Sequence, residues 1–419
     1  MDKLTLMRIQ LLLLLTLCSF LGVRAKEIVE NDGTDRPKRY PVQVDGLWGY
    51  INHEGKLVIP AKFQEIRMTI SRRMPLAPED IETRYAAYDR IPVKFEGHWG
   101  YIDSNGAEKV PFQNDSATHY SDGMGIVMRD GNIFVLDERG IAINRPDRIV
   151  LAQAHVFREG RLPVRTQGFW IYDEKTDAMQ PSDKWGFLGQ DGGIAIKPVY
   201  DAVLSFSGGV APALKDGNWG YINKDGKLVI QFSYEKVDYF FSFVAKFVKD
   251  GKEGLINFGG TVLMEPKYEA VGRYVDGRIA FKDSGRWGFA DRDGKIVVEP
   301  QFPEVRNYSM DKAGAAALNT GETQEKQPLL WGFIDKKGDW AVPAQYEEIT
   351  SYSMLTKLTG LAAVKKNGKW GYLNLAGQLA IPLQFDEAQP FFEGLGRVRM
   401  GDAWGYINPA GEWVWKPSK

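Results

Sequence analysis

Carboxylate side chains recur along this 419-residue chain, and two carboxylates held at a defined separation can hydrolyse a glycosidic bond. Each follows an aromatic residue that comes shortly after a Pro in most copies. The recurring acids are Glu65, Asp201, Glu235, Glu269, Glu304, Glu347 and Asp386. No two of them stand apart from the others as a pair. Recurrence favours a role in turns, so we predict no catalytic residue among them.

Residues that could bind a metal are the next candidates. Asp-x-Asp-Gly at 291–294 resembles the start of a calcium loop, but its counterparts at 103–106 and 335–338 lack a full set of ligands. The four His residues show no metal-ligand spacing; they are His53, His98, His119 and His155. The chain has no P-loop, dinucleotide fingerprint or nucleophile elbow. We therefore predict no metal, no cofactor and no enzyme activity.

The elements that position these residues come from a repeat marked by a Trp-Gly pair. Eight of the 12 Trp residues are followed by Gly. The pairs, which we expect to be structural, are Trp48-Gly49, Trp99-Gly100, Trp185-Gly186, Trp219-Gly220, Trp287-Gly288, Trp331-Gly332, Trp370-Gly371 and Trp404-Gly405. Two eroded copies place Ile133 and Glu253 where Trp is expected. The basic period is 34 residues, as between Trp185 and Trp219, and such a period is typical of stacked supersecondary units.

These ten copies resemble the WG-containing repeat family, also called KWG repeats. The resemblance covers roughly residues 40–419, which is nearly the whole chain. The family is found in many bacterial proteins. It implies a β-rich repeat, but it implies no reaction, no agreed ligand and no catalytic residue.

One unit, residues 210–241, shows how the repeat is built. Residues 210–215 form a strand, Asp216-Gly217 a tight turn with positive φ, and residues 219–223 a second strand. After a turn at Gly226, residues 227–230 form the third strand. Gly beside Trp is expected to let the indole of a neighbouring unit lie against the backbone.

A connector with Pro, an aromatic residue and an acid follows each third strand, as at Pro198, Pro266, Pro300 and Pro343. Pro lacks the backbone donor, so we expect it to end the third strand, and we expect the aromatic residue to cap the core between units. The fold class is all-β, in three-stranded antiparallel meanders. Their predicted arrangement is an open, elongated or superhelical array over residues 39–419. The alternative is a β-propeller, with the connector as a fourth strand.

The start of the chain predicts export. Residues 1–25 have a charged beginning, an apolar run and a small-residue cleavage site, which is the pattern of a secretory signal peptide cleaved after Ala25. Leu17 stands where a lipoprotein signal has a small residue before the Cys, which disfavours a lipid anchor on Cys18. Residues 26–38 are a polar lead-in. We expect a periplasmic or extracellular protein with no transmembrane segment in the mature chain.

Cysteine and charge limit the chemistry further. Cys18 is the only Cys, so the mature chain has no disulfide or thiol chemistry. Removing residues 1–25 leaves 50 Lys and Arg against 53 Asp and Glu, a formal charge of −3. This near-neutral balance gives no reason to expect a nucleic-acid partner.

Insertions interrupt the repeat near 68–88, 168–183, 319–328 and 351–358. The first predicts a short helix over 78–88. The second and third lengthen the same hairpin turn before a Trp-Gly pair, so they should project from one edge of the array. Such loops can carry function or be tolerated drift.

Aromatic residues outside the motif are candidate ligand contacts, namely Trp170, Trp340, Trp413 and Trp415. Three functions follow from these patterns. The leading one is a non-enzymatic scaffold that binds protein or peptide partners in the cell envelope or outside the cell. The second is a polysaccharide- or peptidoglycan-binding module that stacks sugars on aromatic rings. The third is a hydrolase with its site in the insertions.

Overall fold

The computed structural model describes residues 38–67, 89–143, 149–150, 156–166, 169–173, 178–318, 329–351, 359–392 and 394–417. All regular structure in these ranges is β-strand, so the all-β class is confirmed. The chain divides into two units, residues 1–37 and 38–419, and every strand lies in the second. No helix in the described ranges is long and apolar enough to cross a membrane.

Several predicted segments lie outside the described residues. They are the signal peptide at 1–25, the lead-in apart from Lys38, the helix over 78–88, the insertion at 319–328, and residues 352–358 of the last insertion. Parts of the insertion near 168–183 are described.

Each Trp-Gly copy forms one antiparallel sheet, and we number these sheets 1 to 10 in chain order. A full sheet has a connector strand, a first hairpin strand, a Trp-Gly strand and a last strand, hydrogen-bonded in that order. The connector strands are β4 (Glu65–Ile66), β8 (Ser116–Ala117), β11 (Ile149–Val150), β17 (Ala202–Val203), β21 (Lys236–Val237), β25 (Ala270–Val275), β29 (Val305–Ser309), β33 (Glu348–Ile349) and β37 (Glu387–Ala388). The first hairpin strands are β1 (Tyr40–Val44), β5 (Ile91–Phe95), β9 (Gly125–Arg129), β12 (Arg161–Thr166), β18 (Val210–Lys215), β22 (Val244–Lys249), β26 (Arg278–Asp283), β30 (Lys312–Leu318), β34 (Ala362–Lys366) and β38 (Gly396–Met400).

The other two strands complete each sheet. The Trp-Gly strands are β2 (Leu47–Ile51), β6 (His98–Ile102), β10 (Asn132–Leu136), β15 (Trp185–Gly189), β19 (Asn218–Asn223), β23 (Lys252–Asn257), β27 (Arg286–Ala290), β31 (Leu329–Ile334), β35 (Lys369–Leu373) and β39 (Ala403–Ile407). The last strands are β3 (Leu57–Phe63), β7 (Glu108–Asn114), β16 (Ile194–Tyr200), β20 (Leu228–Tyr234), β24 (Val262–Tyr268), β28 (Ile296–Phe302), β32 (Trp340–Tyr346), β36 (Leu379–Phe385) and β40 (Trp413–Trp415). In sheet 3 the last strand is reduced to a bridge between Leu136 and Ala142.

The three strands predicted for each unit are present in every sheet except sheet 3, and a connector strand is added in every sheet except sheet 1. In sheet 5, β17 pairs with β18, β18 with β19, and β19 with β20. The connector is therefore part of the sheet that follows it and not a link between three-stranded meanders. The backbone carbonyls and amides of the connector strand gain hydrogen-bond partners from this pairing, which an irregular segment would not provide.

Local turn chemistry follows the sequence. Asp216 and Gly217 have φ values of 51° and 81°, as a two-residue hairpin turn between right-twisted strands requires. Gly226 has φ 77° in the turn that leads to β20. The expected left-handed conformations are confirmed at these positions.

The Gly of each Trp-Gly pair has a different role from the one expected. Trp219 pairs with Tyr234 and Tyr221 with Ile230, so β20 carries two extra residues opposite Gly220. A Cβ on Gly220 would lie 2.6 Å from the Ile230 carbonyl oxygen. The bulged last strand of the same sheet fills the space, and no indole of a neighbouring unit does so in sheet 5. Such a bulge strengthens the local twist.

Pro also acts differently from the expectation, since it does not end the last strand. Pro198 lies within β16, and Pro300 lies within β28, in both cases opposite the Gly of the pair, where the bulge interrupts the ladder. A bulged residue need not donate to its neighbour, so the missing N–H is tolerated there. The aromatic residue that follows does cap the core, because Tyr200 is buried and donates its hydroxyl to the Gly226 oxygen of the next sheet, at 3.1 Å.

Consecutive sheets pack face to face through the two sides of the Trp-Gly strand. Tyr221 contacts Phe240 of sheet 6, with ring centroids 4.8 Å apart, whereas Ile222 joins the cluster of Phe187 and Ile196 in sheet 4. Tyr221 and Ile222 therefore point to opposite faces of the sheet, as successive residues of a strand do. Each core is thus shared by two sheets, and a single unit cannot bury it alone.

The two ends of the repeat meet. Tyr406 of sheet 10 shares a buried cluster with Tyr40, Val42 and Ile51 of sheet 1. The Tyr406 hydroxyl donates to the Pro41 oxygen at 3.0 Å, across 365 positions of sequence. The structure therefore has the alternative arrangement, a β-propeller closed as one ring of ten sheets, and not the open array. Closure buries the faces that the two end sheets of an open array would leave in water.

The insertion near 168–183 forms a hairpin of its own, β13 (Phe169–Asp173) paired with β14 (Ala178–Ser182). It lies between β12 and β15, which pair directly with each other. The insertion at 319–328 lies in the chain between β30 and β31, the corresponding strands of sheet 8. Both insertions therefore interrupt the same hairpin of their sheets, as the sequence predicted.

Candidate binding surface

Five of the seven recurring acids accept hydrogen bonds from amides of hairpin turns, namely Asp201, Glu235, Glu269, Glu347 and Asp386. Glu269 accepts a hydrogen bond from the Gly285 amide at 2.8 Å, and Asp386 accepts one from the Gly401 amide at 2.7 Å. A hydrogen bond from Lys369 is the main cause that lowers the pKa of the Asp386 carboxyl, and the Gly401 amide adds to it. These carboxylates cap turns, which is the role that their recurrence indicated.

Acids in the Asp-x-Asp-Gly fragments form turns as well. Asp291 accepts from the amides of Asp293 and Lys295, both at 3.0 Å. Asn223 makes the same two contacts in sheet 5, so a neutral amide replaces the acid without changing the turn. A turn that works with either side chain needs no cation.

The histidines lie in separate places. His98 is exposed at the start of β6, His53 lies against Gly394, and His119 lines a cleft of about 320 Å³ with Arg67 and Tyr120. His155 lies outside the described residues. The described part of the chain holds no group of three His, Cys, Asp or Glu side chains that could bind a metal ion.

The Trp residues of the motif are packed to different degrees. Trp99 and Trp370 are buried, whereas the other six are half-buried: Trp48, Trp185, Trp219, Trp287, Trp331 and Trp404. In three sheets an Arg lies over the indole, with Arg67, Arg306 and Arg397 at 4.4 to 4.8 Å from the ring centroids of their partners. The Gly residues of all eight pairs are buried.

Of the four other Trp residues, the three with described side chains do not converge on one site. Trp340 is 40% exposed and packs edge-on against Phe302 of the preceding sheet, while Trp413 is half-buried against Phe385 in the same way. Trp415 belongs to the cluster that joins sheets 10 and 1. Trp170 lies in β13, where the structure describes the backbone alone.

Trp340 does belong to a larger pattern that sequence reasoning missed. The first residue of the last strand is a large apolar residue with 36% to 46% of its surface exposed in seven sheets. We call these residues the apolar row; they are Leu57, Ile194, Leu228, Val262, Ile296, Trp340 and Leu379. The strand registers place them at one equivalent position, each opposite the third residue after the Trp site.

An exposed apolar residue needs no explanation when it is alone, but repetition at one position does. Val229 and Val297 extend the row by one residue in sheets 5 and 7, with 43% and 37% of their surfaces exposed. The sequence signal was available, since the residue occurs in the pattern Gly-Lys-Leu-Val-Ile, in which three consecutive apolar residues cannot all face inward from a strand.

Comparison with protein families gives one match, the WG containing repeat. Its model matches residues 48–69, 99–132, 185–219, 219–252, 254–287, 287–315, 331–370 and 370–402, which is more than half of the chain. Curated protein sequences give no match.

Solved structures show remote likenesses. A eukaryotic initiation factor is 8% identical over 92% of this chain and 98% of its own, with a TM-score of 0.47. AztD from Citrobacter koseri is 11% identical over 71% and 90%, with a TM-score of 0.28. PorZ, a surface component of the type-IX secretion system of Porphyromonas gingivalis, is 12% identical over 92% and 58%, with a TM-score of 0.24. None of these TM-scores reaches 0.5, so these likenesses carry no functional argument.

Proposed function

Because the chain belongs to the WG-containing repeat family, which is defined by a repeat and not by a reaction, we propose that it is a non-enzymatic scaffold for protein partners. The apolar row carries this proposal. Seven exposed side chains at equivalent positions of a rigid ring give a partner a regular set of apolar contacts. A contact surface of this kind gains free energy from each apolar side chain removed from water.

The non-enzymatic part of this proposal is supported by the contacts of the acids. Five of the seven recurring carboxylates are engaged by amides of hairpin turns, as at Glu269 and Asp386, and the first acid of the Asp-x-Asp-Gly fragment at 291–294 forms a turn. They are therefore needed by the fold. Export is part of the same proposal and is supported by the signal-peptide pattern of residues 1–25. The partner is then a protein of the cell envelope or of the exterior.

The test replaces part of the row and compares it with an equally exposed control. The row variant carries Leu228→Lys, Ile296→Lys and Leu379→Lys. The control variant carries Leu47→Lys, Val199→Lys and Met400→Lys, which are 37%, 47% and 44% exposed but lie elsewhere on their sheets. Both variants add the same charge, so a difference in partner binding between them is due to where the substituted residues lie.

Envelope and culture-fluid proteins are crosslinked to the immobilised protein and identified. We expect a defined set of partners that the wild type and the control variant bind and the row variant loses. Equal capture by all three proteins would refute a role for the row. Binding to insoluble peptidoglycan that free oligosaccharide reverses, together with its loss in Trp340→Ala, would replace the protein scaffold by a glycan-binding module.

A further inference from the structure

A cleft of about 420 Å³ lies between sheets 6 and 7, next to the apolar row. Its wall is formed by Phe243, Phe258 and Leu263, with Asn257, Arg292 and Asp293 at its polar side. Leu263 directly follows Val262 of the row in β24, so its side chain points to the opposite face of that strand.

Phe243 stands where most equivalent turns have Gly. Seven two-residue turns join a connector segment to a first hairpin strand, five closed by isolated bridges and two, in sheets 7 and 8, by ladder pairs. The second central residue is Asp311 in sheet 8, with φ 64°, and it is Gly in five turns, with φ from 75° to 89°, at Gly123, Gly160, Gly209, Gly277 and Gly394. In the turn of sheet 6 it is Phe243, with φ 74° and 64% of its surface exposed.

This residue is unfavourable twice over for the fold alone. A left-handed conformation is strained for a bulky side chain, and an exposed ring gains little from the protein core. Backbone strain of this kind persists where function uses the residue. The residue that faces the turn also indicates a binding role for Phe243.

Arg292 faces Phe243, whereas the lysines at its position in sheets 5 and 8 each meet an acid. Lys224, at the same position in sheet 5, pairs with Glu159 of the preceding sheet at 3.1 Å. Lys336 in sheet 8 pairs with Asp276 at 3.8 Å and with Asp311. The guanidinium of Arg292 instead lies 6.0 Å from the ring centroid of Phe243, and no ion pair to it occurs within the described residues.

The aromatic wall of the cleft is held in place by its neighbours. Phe258 occupies the position of Lys224 and Arg292 in its own sheet and stacks on Phe240, with centroids 4.2 Å apart and planes 18° apart. Gly208 of sheet 5 leaves room for this ring, since a Cβ there would collide with it. Phe243 meets the edge of Phe258 at 5.9 Å. The wall is thus preorganised, which reduces the entropy lost on binding.

We propose that this cleft binds a peptide segment of the partner that presents an apolar side chain beside a carboxylate. The apolar side chain packs on Phe243, Phe258 and Leu263, and the carboxylate accepts hydrogen bonds from Arg292. Aromatic residues and Arg are the side chains that most often dominate binding energy at interfaces. The proposal rests on the proposed function, because a protein partner is what presents such a peptide segment to the cleft.

The decisive variant is Phe243→Gly, since it restores the residue of the equivalent turns. It removes the strain and the exposed ring together, so we expect an unchanged or higher Tm with loss of peptide binding. A variant that folds at least as well as the wild type separates a binding role from a structural one. Arg292→Gln removes the cation, and Lys337→Gln is its matched control, because Lys337 is exposed in the corresponding turn of sheet 8.

The probe is a library of random decapeptides displayed with free carboxyl ends and selected on the purified protein. We expect selected peptides to share an apolar side chain within two positions of Asp, Glu or the terminal carboxylate. Their Kd should rise about tenfold or more in Phe243→Gly and in Arg292→Gln, and stay unchanged in Lys337→Gln.

Other outcomes overturn the inference. Selected peptides that lack an acid, or that bind Phe243→Gly as tightly as the wild type, would remove the cleft from peptide recognition. Binding of oligogalacturonate that both cleft variants lose, with no peptide selected, would make the cleft a polysaccharide site. Loss of the crosslinked partners in the row variant but not in Phe243→Gly would leave the scaffold proposal standing and refute the cleft.

Discussion

The closed ring makes a sharp prediction at Tyr406, whose hydroxyl donates to the Pro41 oxygen at 3.0 Å in a buried contact. Tyr406→Phe removes one oxygen and leaves the ring of the side chain in place. If the ring of sheets is closed, the Pro41 oxygen loses this hydrogen bond in a buried site. The lost hydrogen bond and the desolvated acceptor together lower the free energy of unfolding by about 1–3 kcal/mol.

Sheet 9 supplies an internal reference for that number. Tyr372 occupies the same position one sheet earlier and donates to the Gln389 oxygen of sheet 10 at 2.8 Å. Both hydroxyl groups bond a backbone oxygen in the following sheet, although for Tyr406 the following sheet is the first of the chain. Closure therefore predicts similar losses for Tyr406→Phe and Tyr372→Phe.

The assay is equilibrium unfolding in guanidinium chloride, followed by far-UV circular dichroism and by Trp fluorescence. The two signals must coincide before a free energy is derived, because repeat arrays can unfold in parts. If Tyr406→Phe is as stable as the wild type while Tyr372→Phe is destabilised, sheets 10 and 1 are apart in solution. The open array would then be correct.

Three further predictions concern the repeat itself. Gly220→Ala should lower the free energy of unfolding by several kcal/mol in the same assay, since its Cβ would lie 2.6 Å from a backbone oxygen of the last strand, and wild-type stability would disprove the bulge. Trp370→Ala should lower the free energy of unfolding by about 3–5 kcal/mol because this indole is buried. Trp219→Ala should lower it less, because the Trp219 ring is only half-buried. Equal losses in the two variants would contradict this ranking. Asp386→Asn should lower Tm at neutral pH, where the ion pair with Lys369 is formed. The difference in Tm from the wild type should vanish as the pH falls through the lowered pKa of Asp386, which lies below its usual value of about 4. A difference in Tm that persists at pH about 2 would exclude the carboxylate as its source.

Turn chemistry and strand pattern could be predicted from the sequence because both are local. Asp216 and Gly217 accept positive φ whatever lies around them, and the alternation of Tyr221 and Ile222 follows from the period of a strand. The roles of Gly220 and of Pro198 were predicted incorrectly because they are not local. Both depend on a register shift between two strands, which the sequence of either strand alone does not specify.

The candidate surface was only partly predictable. The sequence indicated Trp340 as a candidate ligand contact, and the structure places it in the apolar row, which depends on how the registers of seven sheets coincide. Phe243 left a signal that was not used, because it replaces Gly in a turn whose equivalents at Gly123, Gly160 and Gly209 can be aligned by eye. Its partner Arg292 could not be found in this way, since the two residues come from different sheets.

The sequence by itself determined that this protein is a β repeat of ten units, since each unit carries its own turns and its own alternating pattern of buried side chains. The closure of the ring was decided by tertiary structure alone. Whether sheet 10 meets sheet 1 depends on the rotation accumulated over nine interfaces, and no local pattern encodes a contact such as that of Tyr406 with Pro41 across 365 positions. The cleft at Phe243 exists for the same reason, because two neighbouring sheets form it together and neither contains it alone.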